Sequence, residues 1–329
     1  MSAAELIAAA LVISLVLYAL AGGADFGGGV WDLLASGPRV ERQRATIAHA
    51  IGPIWEANHV WLILCVVLLF TCFPAAFATV GTALHIPLTI LLAGIVLRGS
   101  AFAFRSYGLE PNRAQRRWSH VFAVASLVSP IMLGVVVGAI ASGALGVEIA
   151  TGRVHTDFVS AWLAPFPFAV GLMTLALFAY LAAVYLTLES EDDELRDDFR
   201  KHAILAWAVS AALAILTLAL ARHGAPAIYE GLLSHLWLLA ATGIASIVAF
   251  FALVRRRYGA ARALAALQVA LTVGGWGLAQ FPAIVPPDLT ISNAAAPQHV
   301  LEAVLWALAL GALLLFPALF YLFRVFKTR

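Results

Sequence analysis

The chain of 329 residues is 63% hydrophobic and 12% charged, with a mean hydropathy of +0.94. Soluble domains are roughly half apolar and a quarter charged, so this composition reads as a polytopic membrane protein. The 20 Lys+Arg against 18 Asp+Glu leave a formal net charge of +2, too little for a basic field that draws nucleic acid, and neither zinc-finger spacing nor a GxxxxGKS/T phosphate loop occurs.

The first apolar run covers 5–34. It carries an Ala-x-Ala at 19–21, which resembles a signal-peptide cleavage site, but it has no positively charged start and is too long, so it reads as a retained first helix. Its stretch "GGADFGGGVWDLL" has GxxxG-like spacing. Gly27, Gly28 and Gly29 are read as surfaces for close helix packing, with local unwinding that exposes Asp25 as the alternative. No strand precedes this stretch, so it is not a nucleotide loop.

The second run, 51–73, opens on "IGPIWEANHVWL". Glu56 and His59 lie at i, i+3 and Trp55 and His59 at i, i+4, so the three share a helix face; Asn58 and Trp61 complete the polar and aromatic set. Glu-x-x-His is half of a di-iron pattern, but that site needs two such motifs and two further Glu residues, so no metal is expected here. Cys65 and Cys72 fall on the same helix, roughly 10 Å apart along its axis, beyond disulfide reach. The absence of CxxCH excludes covalent c-type haem.

Seven more runs follow, at 77–104, 118–140, 160–188, 201–221, 234–254, 261–281 and 301–323. Each is near the ~20 residues that cross a hydrocarbon core. Lys and Arg test the count of nine because they concentrate in cytoplasmic loops. Arg39, Arg42 and Arg44 lie in the first loop, Arg105, Arg113, Arg116 and Arg117 in the third, and Arg196, Arg200 and Lys201 in the fifth. Arg255, Arg256, Arg257 and Arg262 lie in the seventh, and Arg324, Lys327 and Arg329 in the tail. Even-numbered loops hold only Arg153 and Arg222. The N-terminus is therefore expected outside and the C-terminus in the cytoplasm.

The fifth loop, "ESEDDELRDDFRK", reads as a solvated helical connector and marks a midpoint, with four spans before it and four after it if the fifth is counted as starting a second bundle. The approximate halves are 1–145 and 155–282 within one membrane domain, 1–329, with 301–323 left over. Phe-Pro pairs end the second and eighth spans, and the turn-rich segment 285–298 is read as a cap on the outer face.

Ionisable groups inside a membrane helix are costly and raise a functional hypothesis. Asp25, Glu56 and Arg98 lie roughly 9–13 Å from the cytoplasmic ends of three successive spans, counting 1.5 Å per residue. Mutual pairing would offset much of their burial cost. Two readings stand: an ion pair that fixes helix register, and a relay for cytoplasmic protons. Among the nine histidines, only His85 lies well inside a predicted span; His49, His120 and His202 are placed near cytoplasmic ends, and His155, His223, His235 and His299 outside or at interfaces. Hydrogen-bonded or interfacial roles are expected for these rather than haem ligation.

The blocks "GADFGGG", "IGPIWEANHVWLI", "VLRGSAFAFRS", "SPIMLGVVVG", "LAPFPFAVGL" and "FPAIVPP" occur in this order. Over most of its length the chain thereby resembles subunit II of cytochrome bd-type quinol oxidases. The resemblance implies nine transmembrane helices arranged as two four-helix bundles plus a peripheral helix, in the bacterial cytoplasmic membrane. It also implies a haem-bearing subunit I that carries haems b and d and the quinol site, while this subunit has no haem of its own. Small accessory subunits, quinol and lipid are further expected partners. Some members of the family hold a structural quinone here, for which no residue set stands out.

The resemblance also associates Glu56 with a cytoplasmic proton path at the subunit interface and matches Asp25 to a family aspartate; from their shared depth, Asp25 and His59 are read as assisting Glu56 and Arg98 as the charge partner. A second acid found in some relatives corresponds to Gly22. Rival readings are a proton-coupled secondary transporter, which also uses midmembrane acids and broken helices, and a purely structural oxidase subunit.

Overall fold

The computed structural model describes residues 1–51, 58–106, 113–148 and 151–327. The chain is almost wholly helical. Helix α1, Ala3–Leu34, starts with a reciprocal cap: Glu5 N–H donates to Ser2 Oγ at 3.2 Å and Ser2 N–H to Glu5 Oε2 at 2.8 Å, satisfying two donors that a helix start would leave unpaired. Its 32 residues are long enough, at roughly 48 Å, to cross a bilayer and protrude. The short α2, Val40–Ile51, follows.

Helix α3, Val60–Cys72, gives way at Phe73 to α4, Pro74–Ala83, with a bend of 116° between their axes. Pro74 supplies the local cause. It has no N–H to continue α3 and its fixed φ suits the first position of a new helix. Phe73, at φ −135 and ψ 60, is the non-helical joint. Helix α5, His85–Ser106, begins only after this detour. The span expected at 77–104 is therefore corrected to begin at His85: residues 77–83 belong to a helix that turns aside, and hydropathy carries no record of direction. His85 accordingly sits exposed at the start of α5, not inside a span.

The remaining helices are α6, Arg113–Ala141; α7, Pro165–Glu189; α8, Asp193–Gly224; α9, Pro226–Ser234; α10, Leu236–Val254; α11, Tyr258–Gln280; and α12, Gln298–Lys327. The acidic connector is helical from Asp193, because Asp192 caps α8 by accepting from Leu195 N–H at 2.9 Å and Asp193 and Glu194 suit the positive end of the helix dipole. Two short antiparallel pairs complete the fold: β1, Gly146–Glu148, with β2, Arg153–His155, and β3, Ala283–Val285, with β4, Leu289–Thr290. Among the described residues, eight helices are long and apolar enough to cross a membrane, or nine if the bent α3 and α4 count together. The protein is a multi-pass membrane protein.

Helix α1 is the hub, packed against α2, α3, α6, α7, α11 and α12. The main core surrounds its second half, where Tyr18, Phe26 and Trp31 meet Phe178, Tyr180 and Leu181 of α7. A second core lies around Ile7, Cys72, Phe73, Leu145 and Leu289. Helix α7 is the most enclosed, with 72% of its apolar window buried, whereas none of the window of α12 is. Its exposed Trp306, Leu313 and Phe320 give α12 an apolar outer surface suited to lipid.

Connections at the two ends of the helices form separate groups. At one end Arg39 donates to both carboxylate oxygens of Asp198 at 2.7 Å, Arg42 pairs with Asp192, and Arg256 reaches Asp197 at 3.3 Å. The loops before α2, before α8 and before α11 thus share one side. At the other end Val147 N–H donates to Asp288 at 2.9 Å and Ala296 N–H to the Cys72 carbonyl at 2.8 Å, which joins the end of α3, the β1–β2 hairpin and the segment after α11.

Candidate functional site

The site begins with what α1 lacks. A Cβ on Gly27 would lie 2.0 Å from the Phe178 carbonyl oxygen of α7, and one on Gly29 would lie 2.1 Å from Ser126 Oγ of α6. Bare backbone at these positions lets two helices approach α1 on different sides. Gly28 faces Ile51 of α2 in the same manner, 2.6 Å from its Cδ1. Helix α1 runs unbroken through this stretch, so close packing, not unwinding, is what the glycines provide.

Asp25 emerges from this crowded segment and is 3% exposed; Arg98 of α5 is 2% exposed. Arg98 Nη1 donates to Asp25 Oδ2, and Nη2 donates to Oδ1 and to the Asp25 backbone carbonyl, each at 2.9 Å. Its Nε donates to Ser126 Oγ at 3.2 Å, and Ser126 Oγ–H donates to the Phe122 carbonyl at 2.7 Å. The guanidinium carbon lies 4.8 Å from the ring centre of Phe26 and 5.0 Å from that of Phe122, within cation–π range. A buried charge is tolerable only when paired and hydrogen-bonded, and the planar fork of Arg fits a carboxylate bidentately. One arginine thereby ties α1, α5 and α6 together.

Ser126 was missed by sequence reasoning. A hydroxyl in an apolar helix usually bonds back to its own turn, as this one does, so nothing in "FAVASLVSP" distinguished it. The signal was its position opposite a glycine, which only packing reveals.

His59 is half-buried at the start of α3, its ring 5.9 Å from Tyr18 and 6.0 Å from Phe26. Its Nδ1 and the Tyr18 hydroxyl are buried without a hydrogen-bond partner among the described residues. Asn58 is 3% exposed, and Trp61 is buried in the main core. Glu56 and Trp55 lie outside the described residues, so the structure brings Asp25, Arg98, Asn58 and His59 to one region without placing Glu56.

Asp25, Gly28, Asn58, Tyr185 and Glu189 line a crevice of about 50 Å³ between α1 and α7. This joins the buried ion pair to the end of α7 where the charged connector begins. Nearby, Trp31 Nε1–H donates to the Ala179 carbonyl at 2.7 Å, and the Trp31 ring stacks on His202 at 4.5 Å. At the surface, hydrogen bonds to Asp198 raise the pKa of Arg39 above its ordinary value. Among the described residues no three His, Cys, Asp or Glu side chains converge as metal ligands.

Residues 3–326 match the family model described as cytochrome bd terminal oxidase subunit II. The chain is similar to cytochrome bd ubiquinol oxidase subunit 2 of Bacillus subtilis (strain 168), 27% identical over 310 residues that cover 90% of this chain and 86% of that protein. It is 25% identical over 179 residues to cytochrome bd-I ubiquinol oxidase subunit 2 of Escherichia coli (strain K12), which covers 54% of this chain and 46% of that one. In three dimensions it is similar to a chain of the bd oxidase from Geobacillus thermodenitrificans, with a TM-score of 0.81, 25% identity and 98% of each chain covered.

Proposed function

This chain belongs to the cytochrome bd terminal oxidase subunit II family, and from that premise we propose that it stabilises a haem-bearing subunit I and helps to deliver cytoplasmic protons for oxygen reduction. The complex it serves is a quinol:oxygen oxidoreductase. Oxidation of two quinols would release four protons toward the outside and pass four electrons to O2 through the complex, and reduction of that O2 to two waters would consume four protons. Taking those protons from the cytoplasm charges the membrane without pumping.

The observation that carries the proton role is the buried Asp25–Arg98 pair at the inner end of a crevice large enough for water. Glu56 is the proposed carrier, with Asp25 and His59 assisting and Arg98 setting the local charge. Haems b and d belong to the partner in this reading, and the present chain holds no haem. Quinol, lipid and small accessory subunits are its other proposed contacts.

The proposed topology is nine spans as two four-helix groups, α1, α3, α5 and α6 against α7, α8, α10 and α11, with α12 peripheral. The N-terminus is outside, and the membrane is the bacterial cytoplasmic membrane. The separate grouping of loops at the two ends supports the alternation of spans, and the Arg and Lys distribution supports the orientation.

Glu56→Gln in the assembled oxidase tests the proton role. Turnover is expected to fall while haem content is unchanged. Wild-type turnover in a fully assembled variant would remove the role of Glu56, and loss of haem together with the partner would favour a purely structural function. That second reading has its own support, because both carboxylate oxygens of Asp25 already accept from Arg98. A proton-coupled transporter would be active when purified alone, whereas a subunit of this oxidase should be inactive without its haem-rich partner.

A further inference from the structure

We infer that Glu189 is the carboxylate at which protons enter the crevice toward Asp25, an inference that rests on the proton-delivery reading above. Ala182, Tyr185, Leu186 and Glu189 line the crevice at i, i+3, i+4 and i+7, so they form one stripe on α7. Asp25 and Gly28 face them from α1. The seam ends at Glu189, the last residue of α7, where it is half-buried and adjoins the charged connector.

The register of the two helices sets the distance to be covered. Gly23 lies against Phe178, and Gly27 against Phe178 and Ala182, so α1 and α7 run in the same direction and Asp25 is level with about residue 180. Glu189 is then about nine residues further along, roughly 13 Å at 1.5 Å per residue. A volume of about 50 Å³ exceeds the ~10–15 Å³ that a single water needs, so the seam has room for water between the two carboxylates. Tyr185 and Asn58 supply polar atoms along it.

The charged groups around the entrance suit a carboxylate that exchanges protons with water. From α8, Arg196 donates to the Thr187 carbonyl at 3.1 Å and to the Ser190 carbonyl at 3.0 Å, and pairs with Asp193 at 2.8 Å. From α11, Arg262 lies 5.0 Å from the Tyr185 ring. At the inner end, Asp25 is held by Arg98 from α5. Arg196 bonds carbonyls at the end of α7, and the seam beside Asp25 runs inward from Glu189.

The test uses the complete oxidase in proteoliposomes, with turnover, proton uptake and haem content measured for Glu189→Gln, Glu189→Asp and Asp25→Asn. Glu189→Gln is expected to slow turnover and proton uptake 3- to 10-fold at full haem content, and Glu189→Asp to recover at least half of the loss. Full-rate Glu189→Gln beside a slow Asp25→Asn overturns this inference and leaves the proton-delivery reading standing. Full rates for both, in assembled complexes, overturn this inference and remove Asp25 from the path, and a full-rate Glu56→Gln beside them overturns the proton-delivery reading as well. If Glu189→Gln fails to assemble, Glu189→Cys treated with iodoacetate restores a carboxylate, one chain atom further out than that of Glu, on the finished complex, with treated wild type as control. Recovery of turnover supports the entry role, and a carboxymethylated variant that stays slow overturns it.

Discussion

Arg98 holds Asp25 through three hydrogen bonds of 2.9 Å, two to the carboxylate and one to the backbone carbonyl. The third bond matters because it ties the guanidinium to the α1 backbone as well as to a side chain that rotates. Arg98→Met leaves the Asp25 carboxylate buried without its cation, and removal of one partner of a buried pair costs about 3–5 kcal/mol. Thermal unfolding of the complex in detergent should show a large loss of stability. The double variant Asp25→Leu, Arg98→Met should recover most of it; no recovery would mean that Arg98 acts chiefly through Ser126 and the two phenylalanines.

Gly27 and Gly29 make different predictions although both sit in the same stretch. The Phe178 carbonyl that Gly27 meets is backbone and cannot rotate away, so Gly27→Ala should destabilise by about 1–3 kcal/mol as an overpacking change. No side-chain substitution on α7 should rescue it. Gly29→Ala meets the Ser126 side chain instead, so Ser126→Gly should rescue it in part. A double-mutant cycle should give a coupling of about 0.5–3 kcal/mol, and a value near zero would place the strain elsewhere.

Sidedness follows from the two groups of connections. In a background with Cys65 and Cys72 replaced, single cysteines at Asp193 and Arg255 should react with a membrane-impermeant thiol reagent from one side of sealed vesicles. One at Ser292 should react from the other side. Labelling of all three from the same side would break the proposed alternation of spans.

The Trp31–Ala179 hydrogen bond offers a local probe of the α1–α7 seam. Trp31→Phe keeps an aromatic ring against His202 but leaves the Ala179 carbonyl without the donor 2.7 Å away. The expected loss is about 1 kcal/mol, typical of one hydrogen bond, read as a lower melting midpoint. Unchanged stability would mean that another donor takes over the carbonyl.

Much of the fold was legible because its rules are compositional. Apolar run length gives most of the spans and does not depend on packing; the alternation expected from Arg placement is part of the proposed topology. Asp25 and Arg98 were visible as charges too costly to be casual. The bend at Phe73 was not visible, because a hydropathy average continues across Pro74 while the chain turns 116°. Glu189 was read as the first residue of a solvated acidic connector. Its placement on the seam depends on which face of α7 meets α1, and α7 is apolar all round. Glu56, central to the sequence argument, lies outside the described residues.

The hub position of α1 bears on how the protein is made. Its neighbours α7, α11 and α12 are synthesised later, and the Arg39 connection closes only once Asp198 exists. Helix α1 leaves the ribosome before these neighbours and is therefore among the last to be fully enclosed. During that interval its glycine-rich segment, with Asp25 upon it, must wait in the membrane or its insertion machinery for partners not yet translated. Arg98, carried by α5, is the earliest of the described partners able to neutralise that acid. The two residues of the pair are therefore both translated before the second half of the chain that helps to bury them.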